Sequence, residues 1–182
     1  MRPNNSTDQP RRWGKAPRIS GVKIHILTTG GTIDKFYFDR KDAFQVGEPQ
    51  IGQLLREANV TVEYDIRALL HKDSLDLTDD DRALIVAAVR DTPGERFLIT
   101  HGTDTMLQTA QALQKAVTGK VMVLTGSMQP ATSRTSDAFF NIGFAFCAAQ
   151  QLPPGAYVAM NGRIFVPGAA RKNVEVGRFE PT

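Results

Sequence analysis

Three short segments rich in threonine and glycine are the parts of this 182-residue sequence best suited to chemistry. Each follows an apolar run typical of a β-strand; they are TTGGT at residues 28–32, THGTDT at residues 100–105 and TGSM at residues 125–128. Together they supply hydroxyl groups, backbone N–H groups exposed by glycine, and one carboxylate. That set suits acyl transfer better than metal or redox chemistry, because acyl transfer needs a nucleophile and donors for a developing oxyanion.

The first segment offers Thr32 as a candidate nucleophile. Parallel strands end at the same edge of a sheet, so the three segments are expected to converge on one crevice, with Thr32 at its rim. Peptide N–H groups beside Thr32 would form an oxyanion hole, but a threonine hydroxyl needs a base to remove its proton. A turn-stabilising role for Thr32 fits the spacing equally well. A phosphate-binding loop is disfavoured, because the segment matches neither GxxxxGK[ST] nor GxGxxG.

The second segment places Thr103 and Asp104 just before residues at helical spacing that begin with Met106. One interpretation is simple capping of that helix. The other is an ionised Asp104 that pairs with a substrate ammonium while Thr103 acts on the substrate carbonyl. None of the three histidines has a triad-like context, whereas a lysine in a dry pocket can serve as the base. Lys172 is the candidate, although a lone lysine is more often solvated.

The segments TTGGTID and THGTDTM, with a GSM-type turn after the next strand, resemble the two signature segments of bacterial-type L-asparaginases. The resemblance runs through most of residues 22–176. It implies a threonine amidohydrolase that converts asparagine to aspartate and ammonia without metal or cofactor. The implied mechanism is attack on the side-chain amide, release of ammonia, and hydrolysis of a β-aspartyl ester by water.

Carried over residue by residue, the resemblance makes Thr32 the primary nucleophile. Thr103, Asp104 and Lys172 match a second group, in which the lysine helps to activate the threonine and the aspartate holds the α-ammonium of the substrate. Tyr37 is the remaining expected catalytic residue. The family's tyrosine lies further along the loop, before a Val-Gly-like pair, but here Phe44 stands there, and a phenyl ring cannot relay a proton.

The resemblance also implies substrate-binding residues. The segment DSLD at residues 73–76 matches the one whose serine grips the α-carboxylate, which points to Ser74 with Asp73 beside it. Backbone N–H groups at Gly31 and Gly102, next to the two threonines, are expected to stabilise the tetrahedral oxyanion. Most relatives add a smaller C-terminal domain that completes a neighbouring subunit's site. This chain is expected to be a short form or a truncation whose pocket closes differently.

The elements that must position these residues alternate along the chain. Strands are predicted at residues 22–28, 60–68, 96–100 and 120–125, and helices at 51–58, 78–90, from 106 onward and at 136–150. This order predicts an α/β, doubly wound, mostly parallel sheet flanked by helices. A flexible active-site loop or hairpin follows the first strand, and Asn161-Gly162 predicts a late β-hairpin.

Composition limits the classes of partner. Residues 1–21 carry a net charge of +4 and are predicted to be a disordered basic extension, which leaves −1 for residues 22–182 as a single catalytic domain. Nucleic-acid binding is therefore disfavoured, and no leader or membrane-spanning run is apparent, so we expect a cytoplasmic protein. Cys147 is expected to be a buried structural thiol. A homo-oligomer is expected, because the face left by a missing domain would otherwise remain apolar.

Two other functions remain open at the level of the sequence. A glutamine-directed amidase could feed ammonia to a partner enzyme, as in the related tRNA-dependent amidotransferase subunits. A non-catalytic sensor could retain the pocket and bind an amino acid without turnover. Ammonia release from asparagine and from glutamine, compared with binding alone, distinguishes the three.

Overall fold

A six-stranded, mostly parallel sheet forms the centre of the protein. The computed structural model describes residues 21–38 and 43–182, so the predicted extension lies almost wholly outside the described residues. The strands are β1 (Lys23–Gly30), β4 (Glu63–Lys72), β5 (Arg96–Thr100), β6 (Val121–Thr125), β7 (Gly155–Met160) and β8 (Arg163–Phe165), in the spatial order β4-β1-β5-β6-β7-β8. Neighbouring strands are parallel from β4 to β7, and β8 pairs antiparallel with β7. The predicted doubly wound architecture is confirmed.

Helices in the described part of the chain cover both faces of the sheet: α1 (Ile51–Glu57), α2 (Asp79–Asp91), α3 (Met106–Ala116) and α4 (Ala138–Gln151). Successive strand residues point to opposite faces, so each strand feeds both cores. Leu27, Ile99 and Leu124 pack in the core that contains residues of α2 and α3. Ile26, Leu98 and Val123 pack in the core that contains residues of α1 and α4. Burial on both faces explains why these strands are continuously apolar.

Small hairpins stand apart from the central sheet at two places. The first joins β2 (Lys35–Phe38) to β3 (Ala43–Val46) and occupies the segment for which the sequence left a hairpin or a mobile loop open. The second joins β9 (Ala170–Asn173) to β10 (Arg178–Pro181), and the sequence pattern did not predict it. The β7–β8 turn is formed by Asn161 and Gly162 with φ of 54° and 72°, as the Asn-Gly pair predicts.

Two expectations about local structure are wrong. The second long strand runs over Glu63–Lys72 rather than residues 60–68. Cys147 is exposed rather than buried. Helix α4 is apolar on nearly all sides, so its sequence pattern does not show which side is buried. In the structure Ile142 and Ala145 are buried, whereas Cys147 lies on the exposed side with Phe140. No helix in the described part of the chain is long and apolar enough to cross a bilayer.

Candidate active site

The three threonine and glycine segments leave the sheet at the same level. Thr28 of β1 pairs in register with Thr100 of β5, and Thr100 pairs with Thr125 of β6. Because all three strands are parallel, the segments that follow them emerge side by side at the carboxyl edge of the sheet. The predicted convergence of the three segments at one edge of the sheet is therefore present.

Close contact between glycines brings the first two segments together. Gly31 has a φ of +92°, and a Cβ built on it would lie 2.4 Å from both the Cα and the N of Gly102. A Cβ on Gly102 would lie 2.6 Å from the Cβ and Oγ of Ser74. Real Cβ atoms do not approach other atoms so closely, so both positions require glycine. Gly31, Gly102 and Ser74, which the sequence assigns to the substrate pocket, thus form one packed unit.

A lysine from the far end of the chain completes a cluster with the second segment. Lys172 Nζ donates to Thr103 Oγ1 at 2.8 Å and to Asp104 Oδ1 at 2.7 Å. Thr103 is buried, whereas the Asp104 side chain keeps 37% of its surface exposed. Lys172 is therefore not the solvated lysine that the alternative interpretation required. Its ammonium sits between a hydroxyl and a carboxylate at the edge of the crevice.

The capping interpretation of Thr103 and Asp104 does not hold. Helix α3 begins at Met106 and its N-cap residue is Thr105, whose side chain makes no capping hydrogen bond. Thr105 instead donates its hydroxyl to the carbonyl of Ser74 at 2.8 Å. The hydroxyl of Thr103 and the carboxylate of Asp104 both face Lys172.

Ser74 lies against the second segment at the start of a single 3₁₀ turn. It is buried, and its Oγ accepts the backbone N–H of Asp104 at 3.2 Å. Because a serine hydroxyl also carries a hydrogen, this contact leaves Ser74 one donor for a further partner. Ser74 is thus fixed next to Asp104 with a donor to spare.

Asp73 is already engaged in an ion pair. Its carboxylate bridges to the ammonium of Lys35 and accepts the backbone N–H of Leu75 at 3.2 Å. Partial burial is the largest single influence and acts to raise the pKa of Asp73, but the hydrogen bond and charge of Lys35, together with the backbone N–H groups of Leu75 and Ser74, leave the pKa below its usual value. The pair ties the β2–β3 hairpin to the turn that carries Ser74. The sequence did not identify Lys35, because nothing in its local pattern distinguishes it from a solvated lysine.

Thr32 opens a 3₁₀ turn, residues Thr32–Asp34, between β1 and the β2–β3 hairpin. It is partly exposed and directly follows Gly31, whose backbone touches Gly102. Gly102 in turn directly precedes Thr103. Thr32 and Thr103 thus each follow one of the two glycines that are in contact.

Asp34 fastens the base of the β2–β3 hairpin, a role that the sequence did not reveal. Its Oδ1 accepts the backbone N–H of Gln50 at 2.8 Å, and its carbonyl accepts the N–H of Gly47 at 2.8 Å. Its other carboxylate oxygen is buried and has no partner among the described residues. Burial raises the pKa of Asp34 to about 6. An aspartate in a segment of mixed charge gives no sequence signal for such burial.

His101 is a buried, neutral ring that forms hydrogen bonds to the second segment and to helix α3. Its Nδ1 lies 2.7 Å from the carbonyl of Gly102, and its Nε2 lies 2.8 Å from the Thr109 hydroxyl. A carbonyl can only accept, so Nδ1 carries the hydrogen and Nε2 accepts from Thr109. Complete burial lowers the pKa of His101 to about 4. His101 therefore holds the second segment in place through its hydrogen bonds to Gly102 and Thr109, in agreement with its lack of a triad-like context in the sequence.

The side chain of Tyr37 lies outside the described residues, although its backbone pairs in register with that of Phe44. In the third segment, Ser127 donates its hydroxyl to the carbonyl of Gln129 within its own turn. Over residues 21–38 and 43–182, no group of histidine, cysteine, aspartate and glutamate side chains could hold a metal ion.

The fold and site define a doubly wound α/β protein with a Thr–Lys–Asp cluster at the carboxyl ends of its strands. The family described as "Asparaginase, N-terminal" matches residues 23–177. The chain belongs to the asparaginase family. Its resemblance to bacterial-type L-asparaginases, noted from the two signature segments, is confirmed.

Individual relatives support this membership and vary in function. The L-asparaginase of Thermococcus kodakarensis is 35% identical over 152 residues, which cover 80% of this chain and 46% of that protein. A glutamyl-tRNA(Gln) amidotransferase subunit of Methanococcus vannielii is 31% identical over 172 residues, covering 88% of this chain and 39% of that protein. The solved structure of the thermostable T. kodakarensis L-asparaginase matches with a TM-score of 0.77 at 29% identity, covering 88% of this chain and 51% of that one. The chain thus spans about half the length of these proteins, or less.

Proposed function

We propose that this asparaginase-family chain is an amidohydrolase that converts L-asparagine to L-aspartate and ammonia. The observation that carries the proposal is the hydrogen bonding of Lys172 Nζ to both Thr103 Oγ1 and Asp104 Oδ1. A lysine in contact with a buried threonine hydroxyl is a recognised means of activating a hydroxyl group. An amide substrate fits the site, because the neighbouring glycine segments supply N–H donors rather than redox groups.

In the proposed reaction, Thr32 Oγ1 forms a bond to the side-chain carbonyl carbon of asparagine and gives up its proton. Backbone N–H groups at Gly31 and Gly102 stabilise the resulting oxyanion. The carbon–nitrogen bond then breaks, and the leaving nitrogen takes up the proton that Thr32 released and departs as ammonia. Water adds to the β-aspartyl ester, which releases aspartate and restores the Thr32 hydroxyl.

The second cluster assists the reaction and holds the α-substituents of the substrate. Lys172 polarises the Thr103 hydroxyl, which takes part in proton transfer at the scissile group. Asp104, with one carboxylate oxygen paired to Lys172, offers its remaining charge to the α-ammonium. The spare donor of Ser74 binds the α-carboxylate, while Asp73 keeps the turn around Ser74 in place through its pair with Lys35. In the complex with asparagine, Asp104 and Ser74 would thus each have a charged partner on the substrate.

Tyr37 is proposed to relay a proton at the crevice. The resemblance to the family implies a tyrosine just before a Val-Gly-like pair, and Phe44 occupies that position here. The backbone register supports Tyr37 as its replacement, because Tyr37 stands directly across the hairpin from Phe44. In this proposal the tyrosine hydroxyl is supplied from β2, whereas the family's position corresponds to Phe44 in β3.

A second candidate activity is hydrolysis of glutamine with transfer of ammonia to a partner enzyme. The relative named as a glutamyl-tRNA(Gln) amidotransferase subunit aligns with 88% of this chain, which favours keeping this candidate. Glutamine is longer than asparagine by one methylene, a difference that a pocket discriminates by about 1–3 kcal/mol. Turnover of both amides by the same preparation, with and without a candidate partner, decides between them.

The test is a coupled ammonia assay on both amides with the wild-type chain, Thr32→Ala and Thr103→Val. We expect asparagine turnover in the wild type and its near-complete loss in both variants. Calorimetric titration with aspartate is run in parallel to show that each variant retains its fold and pocket. Full activity in both variants contradicts the proposal, and aspartate binding without any turnover by the wild type indicates an amino-acid sensor.

Three further properties stay predictions. Cytoplasmic residence is consistent with a chain whose single cysteine, Cys147, cannot form an internal disulfide. A homo-oligomer is expected, and light scattering at several protein concentrations measures it. Independence from metals and cofactors is checked by assaying the protein after dialysis against a chelator, where we expect unchanged activity.

A further inference from the structure

The position of Lys172 depends on a hairpin that is not part of the central sheet. Lys172 lies in β9, which pairs with β10, and Phe179 of β10 stands directly opposite it. The location of the lysine ammonium is therefore set by whatever attaches this two-stranded hairpin to the body of the protein. Phe179 supplies part of the attachment, since its ring is buried in the core beside Phe165.

A side-chain hydrogen bond supplies the directional part of the attachment. The backbone N–H of Phe179 is donated to Asn161 Oδ1 at 3.0 Å. In an antiparallel pair, alternate residues turn their N–H groups away from the partner strand, and those groups need another acceptor. Asn161 provides that acceptor from the β7–β8 turn. It thereby fixes the backbone directly across from Lys172.

Asn161 is itself held by a fully buried asparagine. Its backbone N–H is donated to Asn141 Oδ1 at 3.1 Å, and Asn141 Nδ2 donates to the carbonyl of Gly126 at 3.1 Å and to Asp137 Oδ2 at 2.8 Å. One backbone N–H, one carbonyl and one carboxylate surround this amide, so its orientation is determined. Asp137 in turn accepts the N–H of Met128 at 3.0 Å. The chain of hydrogen bonds therefore starts at the third threonine and glycine segment.

The geometry points to Asn161 as a positioning residue that sets Lys172 against Thr103 and Asp104. This inference rests on the proposed function, in which Lys172 activates Thr103. It also gives the third segment a role, since the hydrogen bonds that begin there reach the Thr–Lys–Asp cluster through Asn141 and Asn161. Without the acceptor of Asn161, the hairpin keeps its hydrophobic anchor but loses the bond that determines its orientation.

The left-handed turn at Asn161 makes a clean test possible. Asn161 has a φ of 54°, a conformation that glycine adopts without strain, so Asn161→Gly removes the acceptor and keeps the turn. Asn161→Asp keeps both the turn and an acceptor for the Phe179 N–H. We expect Asn161→Gly to lower kcat by about 100-fold with little change in KM, as for a catalytic group displaced by an ångström. We expect Asn161→Asp to restore kcat and the kcat–pH profile close to those of the wild type.

A second measurement does not depend on activity. Lysine acylation by a limiting amine-reactive reagent, quantified by peptide mass spectrometry, reports how firmly Lys172 is held. We expect severalfold faster labelling of Lys172 in Asn161→Gly and unchanged labelling in Asn161→Asp. Lys120, which donates to three backbone carbonyls away from the hairpin, is the internal control and should not change.

The outcomes separate this inference from the proposed function. Unchanged Lys172 labelling in Asn161→Gly overturns the positioning role, whether or not the wild type releases ammonia. Faster labelling with wild-type kcat and an unshifted kcat–pH profile also overturns it, since the bond would then be merely structural. If Thr32→Ala and Thr103→Val are both fully active, the proposed function fails on its own, while the labelling result still decides what holds Lys172.

Discussion

Lys172 Nζ lies 2.8 Å from Thr103 Oγ1, although 69 residues separate the two along the chain. The contact joins a hairpin near the end of the described chain to a segment at the end of a central strand. It also places a positive charge beside the hydroxyl that the proposed mechanism requires to transfer a proton.

Replacing Lys172 by Met removes the amine and keeps a side chain of similar length. We expect kcat for asparagine to fall by about 100-fold to 10,000-fold, the usual contribution of a positioned acid–base group. KM should change less, because Asp104 and Ser74 remain. Steady-state kinetics over a range of pH measure both effects. Lys172→Arg is the matched control: it keeps the positive charge that polarises Thr103, so it should retain more activity than Lys172→Met, and an equal loss in both variants would contradict a role for the charge.

The glycine contact at the crevice predicts an unusual cost for a single methyl group. Gly31→Ala adds a Cβ that would lie 2.4 Å from the Gly102 backbone, at a φ of +92°. Overpacking of this kind typically costs about 1–3 kcal/mol, and backbone strain adds about 1 kcal/mol or more. We expect the free energy of unfolding in urea to drop accordingly and activity to be lost.

Gly143→Ala is the contrasting variant for the same measurement. Gly143 lies within α4, and a Cβ there meets no atom within 4 Å. Alanine is preferred over glycine in a helix by about 1 kcal/mol, so this variant should be slightly more stable than the wild type and equally active. Equal stability of the two variants would show that the Gly31–Gly102 contact is not as tight as described.

Much of this arrangement could be predicted from residue patterns because it depends on local order. Continuous apolar strands alternating with helices determine a parallel sheet, and the sheet brings Thr28, Thr100 and Thr125 to one level. The hydroxyl-bearing residues and glycines that follow these threonines therefore lie near one another at the same edge of the sheet. The resemblance to a family supplied the specific roles of Thr32 and Lys172, which spacing alone left open.

The rest depends on tertiary contacts that leave no local pattern. The β9–β10 hairpin lacks a strong turn motif, so the partner of Lys172 cannot be found from its neighbours in sequence. Cys147 was misplaced because α4 is apolar on both its inner and outer sides. Asp34 is buried and accepts the backbone N–H groups of Gly47 and Gln50, contacts that an aspartate in a charged segment does not reveal.

Burial of His101 predicts a loss of stability in mild acid. Its pKa in the folded state is about 4, below the ordinary 6.5, so the unfolded chain binds the proton first as the pH falls. Stability supplied by the neutral ring is complete above about pH 6.5 and is lost progressively toward pH 4, by about 3 kcal/mol in total. Urea unfolding of the wild type and of His101→Gln from pH 4 to 7 measures the effect. The difference in free energy of unfolding between the two proteins should become smaller as the pH falls. A pH-independent difference between the wild type and His101→Gln would contradict the prediction.

Asp34 should have the opposite effect over nearly the same range of pH. Burial raises the pKa of Asp34 to about 6 from 3.8, so the folded state binds its proton before the unfolded chain does. Stability therefore rises by about 3 kcal/mol as the pH falls from about 6 to 4, since the buried charge is then removed.

In Asp34→Asn that rise should be missing, so the free energy of unfolding of the wild type should increase relative to that of the variant in acid. The exposed Asp80→Asn should show no such trend. Because His101 and Asp34 act in opposite directions, their contributions to the stability of the wild type offset each other between pH 4 and 6, and each variant should reveal the contribution of the other residue. Parallel curves for the wild type and Asp34→Asn would show that the Asp34 carboxylate is solvated rather than buried under residues 47–50.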